Sequence, residues 1–280
     1  HVIGPLRSGT EHVAPFACYR CPYGYPDLNG EAQLEICKTT CASFVRYVLE
    51  KEGDVAAVIA EPARAVPYIP PPGYWQMVRQ ACNDHGALLI FDEIPTGLGK
   101  TGKMFACEHD DVVPDILVLG KALGGGILPI AAVLAKSELD VAGEFAFGHY
   151  THEKNPVTAK AALTTIEIIE QEGLVENAAE LGKYMLEQLN LLKAKHSTIG
   201  DVRGRGLLVG VELVLNQEEK TPANDLAEDV LYRCLSKGLS FKLTMGNVMT
   251  LTPPLIIKKA QIDLSLEIID QSLSEAENAL

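Results

Sequence analysis

Two short apolar runs that end on charged residues constrain this chain more than any other feature. Ala87–Phe91 leads straight into Asp92-Glu93, and Ile116–Leu119 leads into Gly120-Lys121. Val55–Ala60 is a third run of the same kind, and Ile127–Leu134 is a fourth. Runs that are apolar throughout, rather than at alternate positions, predict strands covered on both faces. Helical patterns separate them. Glu31–Lys51 predicts an amphipathic helix, and Pro71–Asn83 predicts another, closed by the left-handed-tolerant Gly86. The expected fold class is therefore α/β, a mostly parallel sheet with helices on both faces. Residues 1–30 are rich in Pro, Gly and Tyr and read as irregular structure.

After Asn155-Pro156 the pattern changes. A helix is expected to about Glu172, with Gly173 as its stop, and a second to about Lys195. A strand at Leu207–Leu215, a helix at Asn224–Lys237, a strand near Val248–Thr252 and a helix at Lys259–Glu277 complete the chain. This strand-poor tail reads as a smaller α+β domain. The 280 residues then divide into a large domain, 1–172, and a small C-terminal one, 173–280.

Charge and cysteine usage narrow the function classes. With 24 basic and 37 acidic residues the formal charge is −13, the wrong sign for a surface that neutralises phosphates. No nucleic-acid partner is expected. The longest apolar stretch, around Gly126–Ala135, is well short of the ~20 residues of a membrane span. Seven cysteines, an odd number, without a secretory pattern favour free thiols and a cytoplasmic location. Cys18-x-x-Cys21 and Cys37-x-x-x-Cys41 have a spacing that could bring four thiolates to zinc. The same spacing lets Cys37 and Cys41 lie on the buried face of one helix. Two nucleotide signatures fail. Gly99-Lys100-Thr101 lacks the first glycine of a P-loop, and Gly204-Arg205-Gly206 precedes a strand rather than a helix.

Asp92 and Lys121 remain. Each sits just past the carboxyl end of an expected strand, where open α/β sheets place ligand chemistry. The apolar, glycine-rich surroundings of Lys121 would desolvate its amine and free it for Schiff-base formation. A carboxylate on the neighbouring strand would hold a pyridinium nitrogen protonated and make the ring an electron sink. Taken singly, Lys121 also fits a strand-end salt bridge and Asp92 a helix N-cap.

Four segments in order carry a resemblance. Phe91-Asp92-Glu93-Ile94-Pro95-Thr96-Gly97-Leu98-Gly99-Lys100-Thr101-Gly102 resembles the Asp-Glu-Val-Gln-Thr-Gly-x-Gly-Arg-Thr-Gly segment of class III aminotransferases, the pyridoxal-phosphate enzymes of the 4-aminobutyrate and ornithine type. Pro114-Asp115-Ile116 through Gly126 is similar to that family's lysine segment, Thr151 through Pro156 to its Thr-Phe-Gly-Gly-Asn-Pro segment, and Asp201-Val202-Arg203-Gly204 to the start of its C-terminal domain. Tyr19-Arg20-Cys21-Pro22 also recurs in the family, which weakens the zinc reading.

The resemblance implies the fold type I of pyridoxal-phosphate-dependent transferases, with pyridoxal 5'-phosphate as cofactor and no metal. By it, Lys121 carries the cofactor as a Schiff base and shuttles a proton, Asp92 pairs with the ring nitrogen, and Thr151 donates to the phosphate across the interface of a homodimer. Glu61 in Ala60-Glu61-Pro62 takes the family's Glu-Pro position near the site. The family's upstream half-domain is missing before His1, so the chain reads as the C-terminal portion of a longer protein. The implied activity is transamination of a primary amine.

Three departures qualify that activity. Pro95 replaces the family's Gln, Val66 replaces its gate Glu, and Thr250 in Asn247-Val248-Met249-Thr250 replaces the Arg that binds the substrate α-carboxylate. Losing both halves of one ion pair is coherent, since a lone buried charge is costly. Gly148-His149-Tyr150-Thr151-His152-Glu153-Lys154 looks like the subgroup near the 1-hydroxy-2-aminoethylphosphonate ammonia-lyases, which eliminate ammonia. Arg64, His152 and Lys154 are then candidates to meet a phosphonate, or remain plain loop charges. The alternatives of another class are a non-catalytic fragment and a zinc module at Cys18–Cys41.

Overall fold

The computed structural model describes residues 9–27, 31–145, 151, 153 and 155–279. Along the chain run α1 (Glu31–Cys37), α2 (Thr40–Glu52), β1 (Ala57–Ala60), α3 (Tyr74–His85), β2 (Leu88–Asp92), β3 (Ile116–Leu119) and β4 (Ala132–Ala135). Then come α4 (Pro156–Gln171), α5 (Leu174–Lys195), β5 (Ile199–Arg205), β6 (Leu208–Asn216), β7 (Thr221–Pro222), α6 (Asn224–Ser236), β8 (Lys242–Thr244), β9 (Val248–Leu251) and α7 (Lys259–Glu277). Two compact units emerge, one of residues 1–58 and 70–89 and one of 59–69 and 90–280. The boundary between residues 172 and 173 expected from the sequence falls inside the second unit.

In the first unit the single helix expected over Glu31–Lys51 is two helices. Lys38 and Thr39 both take left-handed backbone, at φ +45° and +52°. The Lys38 N–H closes α1 on the Leu34 carbonyl, and Thr39 stands at the start of α2. No glycine or proline marks this break, which is why periodicity alone ran through it. Cys37 and Cys41 fall on opposite sides of it. Among the described residues no group of three or more His, Cys, Asp or Glu side chains could hold a metal ion. The core of this unit is aromatic. Phe16, Tyr74 and Trp75 meet edge to face, with centroids 4.8–5.9 Å apart, and Trp75 is 1% exposed. Gly86 caps α3 at φ +70°, as its position in the sequence requires.

Strands β1 to β4 form one sheet in chain order. β2 and β3 are parallel, with Ile90 opposite Ile116 and Asp92 opposite Val118. β3 and β4 are antiparallel, so an antiparallel strand stands beside the parallel pair in the expected α/β sheet. The strand expected over Ile127–Leu134 starts at Ala132 instead. Gly125 and Gly126 are both left-handed, at φ +69° and +75°, and they turn the chain before extended structure resumes.

The C-terminal part is richer in strands than its sequence suggested. An antiparallel sheet runs β5-β6-β9-β8, with β7 on β6. Val209, Val211 and Leu213 of β6 join Met249 and Leu251 of β9 in one core with the apolar faces of α5, α6 and α7. Fully burying side chains of this size is worth about 1.5–3 kcal/mol each. Strand β5 went unseen because Ile199-Gly200-Asp201-Val202-Arg203-Gly204-Arg205 has no apolar alternation. Its polar side chains are instead paired across the other face of the sheet: Arg203 Nη1 donates to Asp201 at 2.6 Å and to Glu212 at 2.8 Å. Helix α5 lies against this sheet through a seam of glycines. A Cβ on Gly182 would sit 2.2 Å from the Gly206 backbone, one on Gly206 2.3 Å from Thr101, and one on Gly102 2.8 Å from Ala179.

Candidate active site

Lys121 follows β3 with a backbone that L-residues avoid. Gly120 is extended, and Lys121 is left-handed at φ +42°, a conformation that costs roughly 1–2 kcal/mol in a residue with a Cβ. The turn is held by the Leu123 N–H on the Gly120 carbonyl and the Gly125 N–H on the Ala122 carbonyl. Leu123 is buried with Leu119, Ala162 and Ile169, which pins the turn to β3 and α4. The Lys121 side chain itself is exposed. The desolvation expected from its glycine-rich surroundings is absent because Gly125, Gly126 and Ile127 face solvent beside it.

Asp92 ends the parallel neighbour, β2. Its Oδ1 accepts the Ile94 N–H at 3.0 Å. That contact fixes the carboxylate and leaves its second oxygen without a partner among the described residues. It is a turn contact, not the helix N-cap that the sequence also allowed. Lys121 likewise makes no hydrogen bond or ion pair, which rules out the strand-end salt bridge among the described residues. Glu93, one residue on, is the opposite case. It is 1% exposed, and its carboxylate accepts from Thr96 Oγ1, Ala106 N and Cys107 N at 2.6, 3.0 and 2.8 Å. Of the adjacent acids, one is structural and one is unpaired. An amine and a carboxylate without charged partners, at neighbouring parallel strand ends, fit a ring that needs a carboxylate at its nitrogen and an amine at its aldehyde.

Glu61 follows β1 and opens a tight turn. Its Oε2 accepts the Ala65 N–H at 2.6 Å, and the Arg64 N–H donates to the Tyr68 carbonyl at 3.0 Å. Glu61 therefore closes a hairpin. Arg64 is half-buried, with its guanidinium carbon 5.7 Å from the centre of the Tyr68 ring. Val66, in the gate position, lies in the same turn. The hairpin rests on the sheet: Gly210 of β6 packs so closely that a Cβ there would meet Pro67 at 3.1 Å. Thr250 of β9 sits directly opposite Gly210 and is 6% exposed. Its hydroxyl is shared with Thr244 at 2.8 Å, so a neutral hydroxyl pair stands where the family pattern has a guanidinium.

Thr151 is exposed in a turn. His152 and Lys154 lie outside the described residues. Lys100, in the segment that lacks the first glycine of a P-loop, is half-buried. It donates to the Pro253 carbonyl at 2.8 Å, and burial pushes its pKa down to about 8. It anchors a loop. A separate hollow of about 680 Å³, lined by Phe105, Val112, Leu117 and Leu134 among others, contains none of the site residues expected from the sequence. Sequence reasoning missed Tyr68 and Arg203; the only signal for either was the Asp-Val-Arg-Gly segment.

The family model described as aminotransferase class-III matches residues 5–273. The (R)-1-hydroxy-2-aminoethylphosphonate ammonia-lyase of Vibrio splendidus is 42% identical over 98% of this chain and 59% of its own length. The leucine/methionine racemase of Thermococcus litoralis is 39% identical over 95% of this chain and 60% of its own. Among solved structures, a Bacillus anthracis aminotransferase superposes with a TM-score of 0.88 at 36% identity, over 97% of this chain and 63% of that one. The chain thus spans about three-fifths of the length of these relatives. Among the described residues, no helix is long and apolar enough to cross a membrane.

Proposed function

This chain belongs to the class-III aminotransferase family, and from that premise we propose that it is the lysine-bearing part of a pyridoxal-phosphate-dependent enzyme acting on a small primary amine. The observation that carries the reading is the unpaired pair of charges, Lys121 and Asp92, at the ends of two parallel strands. Bound pyridoxal phosphate supplies an electron sink for negative charge at the substrate Cα. Asp92, fixed by the Ile94 N–H, holds positive charge at the ring nitrogen. Lys121 would hold the cofactor's aldehyde through its amine and would hold or move the proton at the substrate Cα. Its strained backbone directs it from a turn anchored by Leu123. Thr151 donates to the cofactor phosphate. Glu61 keeps the hairpin closed beside the site. In this reading residues 1–172 are the cofactor-binding part and 173–280 the C-terminal part, and the protein works as a cytoplasmic homodimer.

A second reading within the family, elimination of ammonia from an aminophosphonate, is favoured by Thr250. The neutral Thr244–Thr250 pair offers no cation to an α-carboxylate. Arg64, with His152 and Lys154, is left to meet an anion. The full-length protein, loaded with pyridoxal phosphate, is given 1-hydroxy-2-aminoethylphosphonate without a keto acid. Sustained ammonia release establishes the lyase. Turnover only after pyruvate or 2-oxoglutarate is added establishes the transaminase. No turnover of any primary amine under either condition overturns the proposed function.

A further inference from the structure

Asp92 and Lys121 stand on separate turns, and Ile94 touches both. The Ile94 N–H donates to Asp92 Oδ1 at 3.0 Å. The Ile94 side chain lies over Gly120, the residue before Lys121. A Cβ built on Gly120 would sit 3.4 Å from both Ile94 Cγ1 and Ile94 Cγ2. Gly120 itself has φ −174°, extended backbone that any residue adopts, so its neighbour matters more than its freedom. A second contact joins the same two turns. A Cβ on Gly97 would sit 3.3 Å from Leu119 Cδ2, at the end of β3. The turn that carries Ile94 is tightly held. The Glu93 carbonyl accepts the N–H groups of both Thr96 and Gly97, and the Pro95 ring fixes one dihedral within it. Leu98 is left-handed at φ +58°, 3% exposed, and shares a cluster with Leu119 and Leu123. Strained residues such as Leu98 and Lys121 persist only where their surroundings over-determine them.

We infer that Ile94 is a positioning residue of the site, setting the carboxylate of Asp92 and the root of the Lys121 side chain against each other. This rests on the reading of Lys121 and Asp92 given above, and it adds what keeps their spacing. The Lys121 side chain is exposed, so the protein controls its amine mainly through the backbone from which it springs. On the C-terminal side that backbone is held by buried Leu123 and by Gly125, where a Cβ would meet Thr165 Oγ1 at 3.0 Å. On the N-terminal side the neighbours of Gly120 are Ile94 and, at 3.8 Å from the same built Cβ, Ala131. The two roles of Ile94 are separable. Its N–H serves Asp92, and its two γ carbons serve Gly120. Valine keeps both γ carbons, leucine has one, and alanine has none. Shape at this position, rather than volume, then decides how well Lys121 is placed.

The test compares the full-length parent with Ile94→Val, Ile94→Leu and Ile94→Ala. Three quantities are read: the dissociation constant of pyridoxal phosphate, the visible circular dichroism of the bound cofactor, and amide hydrogen exchange at Leu123 and Gly125. Those two amides hold the Lys121 turn, and their exchange needs no cofactor. Ile94→Val is expected to match the parent in all three. Ile94→Ala should weaken cofactor binding about tenfold, equivalent to about 1.4 kcal/mol, diminish the dichroism and speed both exchanges several-fold. Ile94→Leu, which keeps the parent's side-chain volume, should fall with alanine and not with valine. In a Lys121→Ala background, Ile94→Ala should have no further effect on cofactor binding, because it acts through Lys121. The inference is overturned if Ile94→Ala leaves the exchange unchanged, if its loss of binding persists without Lys121, or if the losses follow melting temperature across the series. A parent that binds no pyridoxal phosphate at Lys121 counts against the proposed function alone, and the exchange rates then decide the role of Ile94.

Discussion

The strand ends around Asp92 and Lys121 and the sheet of β5, β6, β8 and β9 treat charge in opposite ways. In the sheet region, charges that leave water are paired: Arg203 with Asp201 and Glu212, and Arg205 with Asp110 at 2.8 Å, while Asp270 and Glu277 meet the ring nitrogens of buried His196. At the strand ends, an amine and a carboxylate have no charged partner among the described residues, and the amine stands on backbone that costs energy to form. Pairing marks charges that hold the fold. Lack of pairing, where strain is added, marks charges kept for a ligand. Neighbouring Asp92 and Glu93 show the contrast within a single dipeptide.

If this contrast is right, substitutions on the two sides fail in different assays. The largest effect is expected at Lys121. Lys121→Ala should reduce turnover by at least about 10²-fold while leaving unfolding free energy within about 0.5 kcal/mol, as read by steady-state rates and urea titration. A matching loss of stability would break the comparison. Glu212→Gln should do the reverse. It removes one carboxylate from a buried guanidinium, and because Asp201 remains, a loss of about 3 kcal/mol is expected, at the low end for a broken buried pair.

The smallest effect concerns pH. Burial raises the pKa of Asp270 and Glu277, but hydrogen bonds from Lys195 and His196 to the first, and from His196 and Thr198 to the second, outweigh it. Both carboxyls are thus held below their ordinary values of 3.8 and 4.5. Groups shifted this way stabilise the fold above the ordinary value, and that contribution is lost as pH falls through the folded one. The melting temperature should therefore drop on acidification below pH 4.5, and the drop should be shallower in Glu277→Gln. An equal slope in the variant would show that this pairing holds nothing.

Much of this architecture was legible before any coordinates. β3 at Ile116–Leu119 and α7 at Lys259–Glu277 have the bounds that their apolar patterns predict, because both are long-range buried surfaces with clear punctuation. The two charges proposed for the site, Asp92 and Lys121, were legible because each ends an apolar run. What escaped detection was held by distant partners. Arg203 binds the Pro67 carbonyl 136 residues away, and a strand as polar as β5 is stable only because those partners arrive. The break between α1 and α2 depends on two left-handed residues, Lys38 and Thr39, whose types give no warning. The exposure of Lys121 was misjudged because glycines around it were read as a dry pocket when they are open backbone.

The seam of Gly102, Gly182 and Gly206 has a consequence for anyone who would engineer this protein. Three positions, one in α5 and two in turns, have no room for even a methyl group. A library that randomises residues near Thr101 for new selectivity would spend most of its losses there, on proteins that never assemble. Holding those three codons fixed while varying the half-buried turn residues Arg64 and Val66 would concentrate diversity where the chain has freedom to accept it.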